Sequence, residues 1–157
     1  MKNQQHWAPL LLRLVTGTGF MVHGFAKLSR GPAGFEKLLA QIGVPLPHFM
    51  AWATALLEFF GGLLLLLGAF VVIISIPLVV TMLVAMFTIH IRYGFSSIKT
   101  TGLTPDGPVF GPPGYEVNLL YIACLVSLII MGAGKLSIDS WRKQRAGKQV
   151  SSLHPTG

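Results

Sequence analysis

Long apolar blocks follow one another along this chain, and the polar residues gather between the blocks instead of on one face of each. Four blocks reach the length of a membrane span, over about residues 7–27, 48–69, 71–91 and 117–134. A helix rises about 1.5 Å per residue and the hydrocarbon core is about 30 Å thick, so roughly 20 apolar residues suffice. The pattern predicts an all-α fold, an integral membrane four-helix bundle formed by a single domain over residues 1–157. The first block is long for a secretory signal, carries its charge inside the apolar run and precedes no small-x-small cleavage site, so it reads as a retained helix.

The connections refine this outline. Phe35, Leu38, Leu39 and Ile42 recur at helical spacing in the first loop, which predicts a short amphipathic helix at the membrane interface between the first two spans. Pro45 and Pro47 end it. Spans two and three meet at Gly68, Ala69 and Phe70 and must form a tight antiparallel hairpin. Pro77 marks a point of kinking or widening in the third span. The long Gly/Pro-rich segment before the fourth span holds turn signals at PDGP and GPPG and reads as a lid or a flexible connector.

Composition supports lipid as the solvent. The chain of 157 residues is 52% hydrophobic and 11% charged, with mean hydropathy +0.66. A soluble domain is about 25% charged. The net charge of +7 would suggest nucleic acid in a soluble protein, but here the basic residues flank the spans and the membrane surface accounts for them. Residues 135–157 form a basic tail with Arg142, Lys143, Arg145 and Lys148. Lys27, Arg30, Lys37, Arg92 and Lys99 fall on the opposite side. The tail is the densest basic cluster, which places both termini in the cytoplasm of a multi-pass protein. Trp7, Trp52 and Trp141 sit near span ends as interface anchors. Cys124, the lone cysteine, excludes an intrachain disulfide and reads as a small apolar filler.

Ionisable residues inside spans cost roughly 2.5–3.5 kcal/mol on insertion scales and call for a partner or a role. Arg13, His23, Glu58, His90 and Glu116 are such residues. By helical rise Arg13 lies about 9 Å from one membrane face and Glu58 about 15 Å from the other, a vertical gap of about 6 Å. That gap predicts an Arg13–Glu58 ion pair. Ala51, Ala55, Glu58 and Gly62 share one small-residue face, so Glu58 points inward. His23, His90 and Glu116 fall at the outer level and should converge there as a polar cluster. Histidine and carboxylate can pass protons to a quinone, two histidines can hold haem, and the mixed set can bind a metal. No HExxH, CxxC or CxxCH motif selects among these, and no metal ligand set is assigned. Lys27 and Arg92 read as snorkelling residues.

The ordered segments RLVTGTGFMVHGFAKL, GFEKLLAQIGVP, ALLEFFGGLLLLLG, DGPVFGPPGYEVNLLYIA and GAGKLSID resemble the DoxX family over nearly the whole chain. The resemblance implies a four-helix protein of the bacterial inner membrane. It also implies association with quinol oxidases, thiosulfate:quinone oxidoreductases or other membrane redox complexes. Arg13, His23, Gly24, Lys27, Glu58, Gly61, Gly62 and His90 fall on positions that recur in the family. The expected function is a membrane oxidoreductase subunit, with quinone as the candidate cofactor and Glu58, His23 and His90 as catalytic residues. Expected partners are the lipid bilayer and redox subunits or further copies of the chain, with no nucleic acid. Two other readings stay open: a non-catalytic scaffold that anchors redox partners, and a small-molecule or metal-binding membrane protein.

Overall fold

The computed structural model describes residues 7–153, with side chains over 7–146; the Lys148 side chain and the last four residues of the basic tail lie outside what is described. Six α-helices are formed: α1 (Ala8–Ser29), α2 (Ala33–Gln41), α3 (Pro47–Leu67), α4 (Val71–Ala85), α5 (Glu116–Met131) and α6 (Ile138–Leu153). A π turn over Met86–His90 and a 3₁₀ turn over Ile91–Tyr93 prolong α4. Helix α1 packs on α3, α3 on α4, α4 on α5, and α5 back on α1, so four helices close into a ring. The short α2 lies on α3.

Glycines set the closest approach in this ring. A Cβ on Gly62 would stand 2.5 Å from the Met21 nitrogen, and one on Gly17 would stand 2.9 Å from the Gly62 oxygen. One on Gly24 would collide with the Phe59 backbone. Small residues on both faces let the α1 and α3 backbones touch directly. These contacts fix the register of α1 against α3. On the other side of the ring, Phe20, Leu65, Val71, Leu78, Leu125 and Leu128 form the apolar core.

The exposure pattern is inverted relative to a water-soluble domain. Arg13, Glu58, Ser75 and Asn118 are buried. Leu11, Val15, Phe60, Ile73, Ile76, Leu120 and Ile130 are exposed, most of them more than half. Two helical segments, Pro47–Leu67 and Val71–Tyr93, are long and apolar enough to cross a membrane. Helix α1 has the length, with 22 residues, but carries Arg13, His23 and Lys27. Helix α5 has 16 residues and is shorter than a full span.

The all-α expectation needs one correction. Strands β1 (Thr100–Thr104) and β2 (Gly107–Phe110) pair antiparallel within the segment read as a lid or connector. Pro105 and Asp106 make the turn, and Gly107 follows with φ 123°. Proline presets the first turn position and glycine accepts the positive φ. Every residue of β1 is exposed, so no alternation of buried and exposed positions marks it. The tail, in turn, enters a helix at Ile138 whose first turn is tied to the start of α4 through Asp139.

Helix α4 runs through Pro77. Widening occurs later, at the π turn, where the Ile91 N–H reaches the Met86 carbonyl. Asn118 on α5 donates to the nearby Met82 carbonyl at 3.4 Å.

Candidate functional site

Two buried charges organise the interior, and neither takes the partner expected from depth alone. Arg13 is 1% exposed. Its Nε donates to the Leu65 carbonyl at 2.9 Å, and its Nη2 to those of Leu66 and Leu136 at 3.0 Å each. Its Nη1 donates to Ala133 at 2.8 Å and Lys135 at 3.3 Å. A guanidinium has five N–H donors, and all five are engaged. Leu65 and Leu66 lie in the last turn of α3, where carbonyls lack helical partners and the helix dipole is negative. The other three acceptors come from the turn after α5. Gly132, Gly134 and Leu136 adopt φ values of 74°, 67° and 51° there and fold that turn tightly.

Glu58, 2% exposed, accepts from Lys27 Nζ instead, at 2.6 Å to Oε1 and 2.5 Å to Oε2. The Lys27 side chain is 24% exposed and its ammonium stands 4.6 Å from the centre of the Phe35 ring on α2. Three elements thus meet at one pair: the end of α1, the middle of α3 and the amphipathic α2.

The expected Arg13–Glu58 pair is therefore overturned, and register is the reason. Gly62 faces Met21 and Gly24 faces Phe59, so Glu58, one residue before Phe59, stands level with Phe25 of the antiparallel α1. Arg13 is twelve residues from that level along α1, about 18 Å by helical rise. Lys27 is one turn beyond Gly24 and reaches back along the groove. Measuring depth from the two block ends underestimated the offset, because those ends are not level in the folded chain.

The residues expected at the outer mouth do not come together: His90 and Glu116 each bind a different backbone group, and His23 is exposed. His90, at the end of the π turn, has Nδ1 3.0 Å from the Pro113 carbonyl. Glu116 accepts from the Ser97 N–H at 3.0 Å and ties the start of α5 to the preceding loop. His23 is exposed on the flank of α1, one turn past Gly19, which abuts the Tyr121 hydroxyl. No hydrogen bond or ion pair joins any two of His23, His90 and Glu116. Among the described residues no group of three His, Cys, Asp or Glu could hold a metal ion.

Sequence reasoning missed two participants. Lys27 was read as a snorkelling residue, yet its position one turn from Gly24 on the small-residue face was a signal. Asp139 carried none. Its carboxylate accepts from the Phe70 and Val71 N–H groups at 2.9 and 3.0 Å, and its own N–H donates to the Gly68 carbonyl at 3.0 Å. It caps α4 from a distant part of the chain, a role a side-chain oxygen normally plays from the adjoining residue.

Residues 8–91, which include α1 to α4 and the whole Arg13–Lys27–Glu58 arrangement up to the α5 turn, match the DoxX family. The chain belongs to the DoxX family. It is 36% identical over 86 residues to a Bacillus subtilis protein named "Putative oxidoreductase CatD". That alignment covers 55% of this chain and 62% of the relative, so the chain spans less than two thirds of it. It is 27% identical over 139 residues to a Haemophilus influenzae protein described as uncharacterized, covering 86% of this chain and 83% of the relative. No solved structure matches the chain. Arg13, Lys27 and Glu58 all make contacts within the bundle, whereas His23 is exposed.

Proposed function

We propose that this DoxX-family chain is a membrane oxidoreductase subunit whose four ringed helices cross the bacterial inner membrane and whose Lys27–Glu58 pair exchanges protons for a quinone-class substrate. The inverted exposure supports the spanning arrangement. Burying Arg13 and Glu58 while exposing Ile73, Ile76 and Ile130 suits a lipid solvent and would be costly in water. Helix α5 and α1 then cross as members of the ring, with both termini on the cytoplasmic side, where the basic tail lies.

The observation that carries the chemistry is the Lys27–Glu58 pair itself. An intramembrane ion pair is expensive, weak as a source of stability, and a default marker of a functional path. Glu58 faces the interior and Lys27 is partly open toward the outer end, so a proton has a donor, an acceptor and an exit. Oxidising a quinol to a quinone releases two protons and two electrons. Glu58 takes one proton, the other leaves to water at the outer end, and Lys27 holds the pair's charge balance. The electrons pass to a redox partner subunit, in keeping with the oxidoreductase name of the Bacillus relative. His23, facing the lipid side, stands where a quinone would arrive from the bilayer, and His90 offers a second imidazole near the outer loop.

The test is to purify the chain in mild detergent, measure bound quinone, and follow quinol oxidation with an added electron acceptor. Glu58→Gln and His90→Ala should each lower turnover by tenfold or more, about 1.4 kcal/mol of barrier. Absence of bound quinone together with unchanged turnover in both variants would sink the reading.

A further inference from the structure

The bundle end opposite the Lys27–Glu58 pair carries a groove that none of this uses. It is open on one side, has a volume of about 1090 Å³, and lies between the start of α4, the turn after α5 and the first turns of α6. Its apolar floor is built from Trp7, Phe70, Ile73 and Met131. Arg142 and Lys143 stand on its rim. The Arg142 guanidinium lies 4.9 Å from the centre of the Phe70 ring. Among the described residues neither Arg142 nor Lys143 forms an ion pair. The one acid in the groove, Asp139, has both carboxylate oxygens occupied by the Phe70 and Val71 N–H groups. Asp139 is thus committed to the start of α4, and Arg142 and Lys143 outnumber that one carboxylate at the groove.

The floor continues along the bundle. Ile73, Ile76 and Val80 follow one another at helical spacing on the outer face of α4 and are all more than half exposed. A ligand that fits both parts has an anionic head and a long apolar tail. We infer that this groove is a binding site for an anionic phospholipid. Its phosphate pairs with Arg142 and Lys143, and its acyl chains lie along the Ile73–Ile76–Val80 face. The charge complementarity selects the head group, and the continuous apolar track selects a lipid over a free anion. Helix α6, tied down by Asp139, is the element that holds the cationic rim over the floor. The inference rests on the spanning arrangement proposed above, because only that puts the groove at a membrane surface.

The experiment uses the full chain carrying Trp52→Phe, reconstituted into phosphatidylcholine vesicles with a small fraction of brominated phosphatidylglycerol or brominated phosphatidylcholine. Bromine quenches Trp7 and Trp141 at short range. The brominated anionic lipid should quench at an effective affinity on the order of tenfold above the zwitterionic one, the effect of two basic residues at a partly screened surface. Arg142→Gln with Lys143→Gln should erase the preference, while Lys37→Gln with Arg92→Gln, an equal loss of charge elsewhere, should leave it. Equal quenching by the two lipids, or equal loss in both double variants, overturns the site. Displacement by millimolar inorganic phosphate also overturns it, as that marks a simple anion site. Extraction of the vesicles with alkaline carbonate separates the two readings. A chain that washes off defeats the spanning arrangement, whereas a retained chain without lipid preference defeats the groove alone.

Discussion

Toward the start of α1, the Arg13 guanidinium meets only main-chain oxygens; toward its end, Lys27 meets a single carboxylate. Both are cations of one helix that reach across to the same α3, Arg13 buried and Lys27 half-buried. Their partners make them different devices. Carbonyl oxygens do not titrate at ordinary pH and are fixed by the backbone, so the Arg13 contact is permanent architecture. It clamps the end of α3 to the turn after α5, which closes the ring of helices. The Lys27–Glu58 pair joins two groups that can each gain or lose a proton, with one of them partly open. One cation holds the fold and the other is suited to work.

Variants can break that contrast. The largest effect is expected from Arg13→Met, which leaves five inward carbonyls without their donor and should lower stability by about 3–5 kcal/mol. Arg13→Lys should recover only a minor part, since an ammonium cannot reproduce a five-donor fork. Reversible unfolding in mixed micelles measures both, and a mild Arg13→Met variant would end the architectural reading.

The second region should behave differently under the same measurement. Lys27→Met alone should cost about 3 kcal/mol, because it strands the buried Glu58 carboxylate, and Glu58→Met should cost less, because the partly exposed Lys27 ammonium can turn to solvent. The double variant should return to within about 1 kcal/mol of the parent in stability while remaining inactive. Simple additivity of the two losses would show that the pair is not an independent unit. No second substitution is expected to rescue Arg13→Met in this way.

Gly24→Ala probes the register that keeps the two regions apart. Its methyl would collide with the Phe59 backbone, so about 1–3 kcal/mol should be lost, with a wider α1–α3 spacing in cross-linking. Asp139→Ala removes the acceptor for two N–H groups at the start of α4 and should cost about 1–2 kcal/mol. Faster amide exchange at Phe70 and Val71 would report it. The smallest effect belongs to Glu36→Gln. Its pairing with His48, at 2.9 Å, is largely exposed and should contribute under 1 kcal/mol, seen as a minor shift in midpoint.

Much of the helical frame was legible in the chain, and the reason is local. Block length and apolar content report on a helix without reference to any other segment, and the α1, α3 and α4 starts lie within two residues of the blocks read from the sequence. The small face around Glu58 was legible for the same reason, since Ala51, Ala55 and Gly62 recur at helical spacing and are buried as a set. The β1–β2 hairpin escaped because a fully exposed strand leaves no pattern of alternation. Asp139 escaped because a cap donated across 68 residues has no signature at either place.

Hydropathy and spacing determined where the four long apolar helices begin, which face of α3 turns inward, and that ionisable residues had to be accommodated inside. They could not determine which charge meets which. That depends on how far α1 slides along α3, and the slide is decided where Gly17 meets Gly62 and Gly24 meets Phe59. A shift of one turn would have given Arg13, Lys27 and Glu58 other neighbours without altering any residue's own helical preference. The acceptors of Arg13 are main-chain carbonyls, which every residue possesses, so only the tertiary fold could select those five.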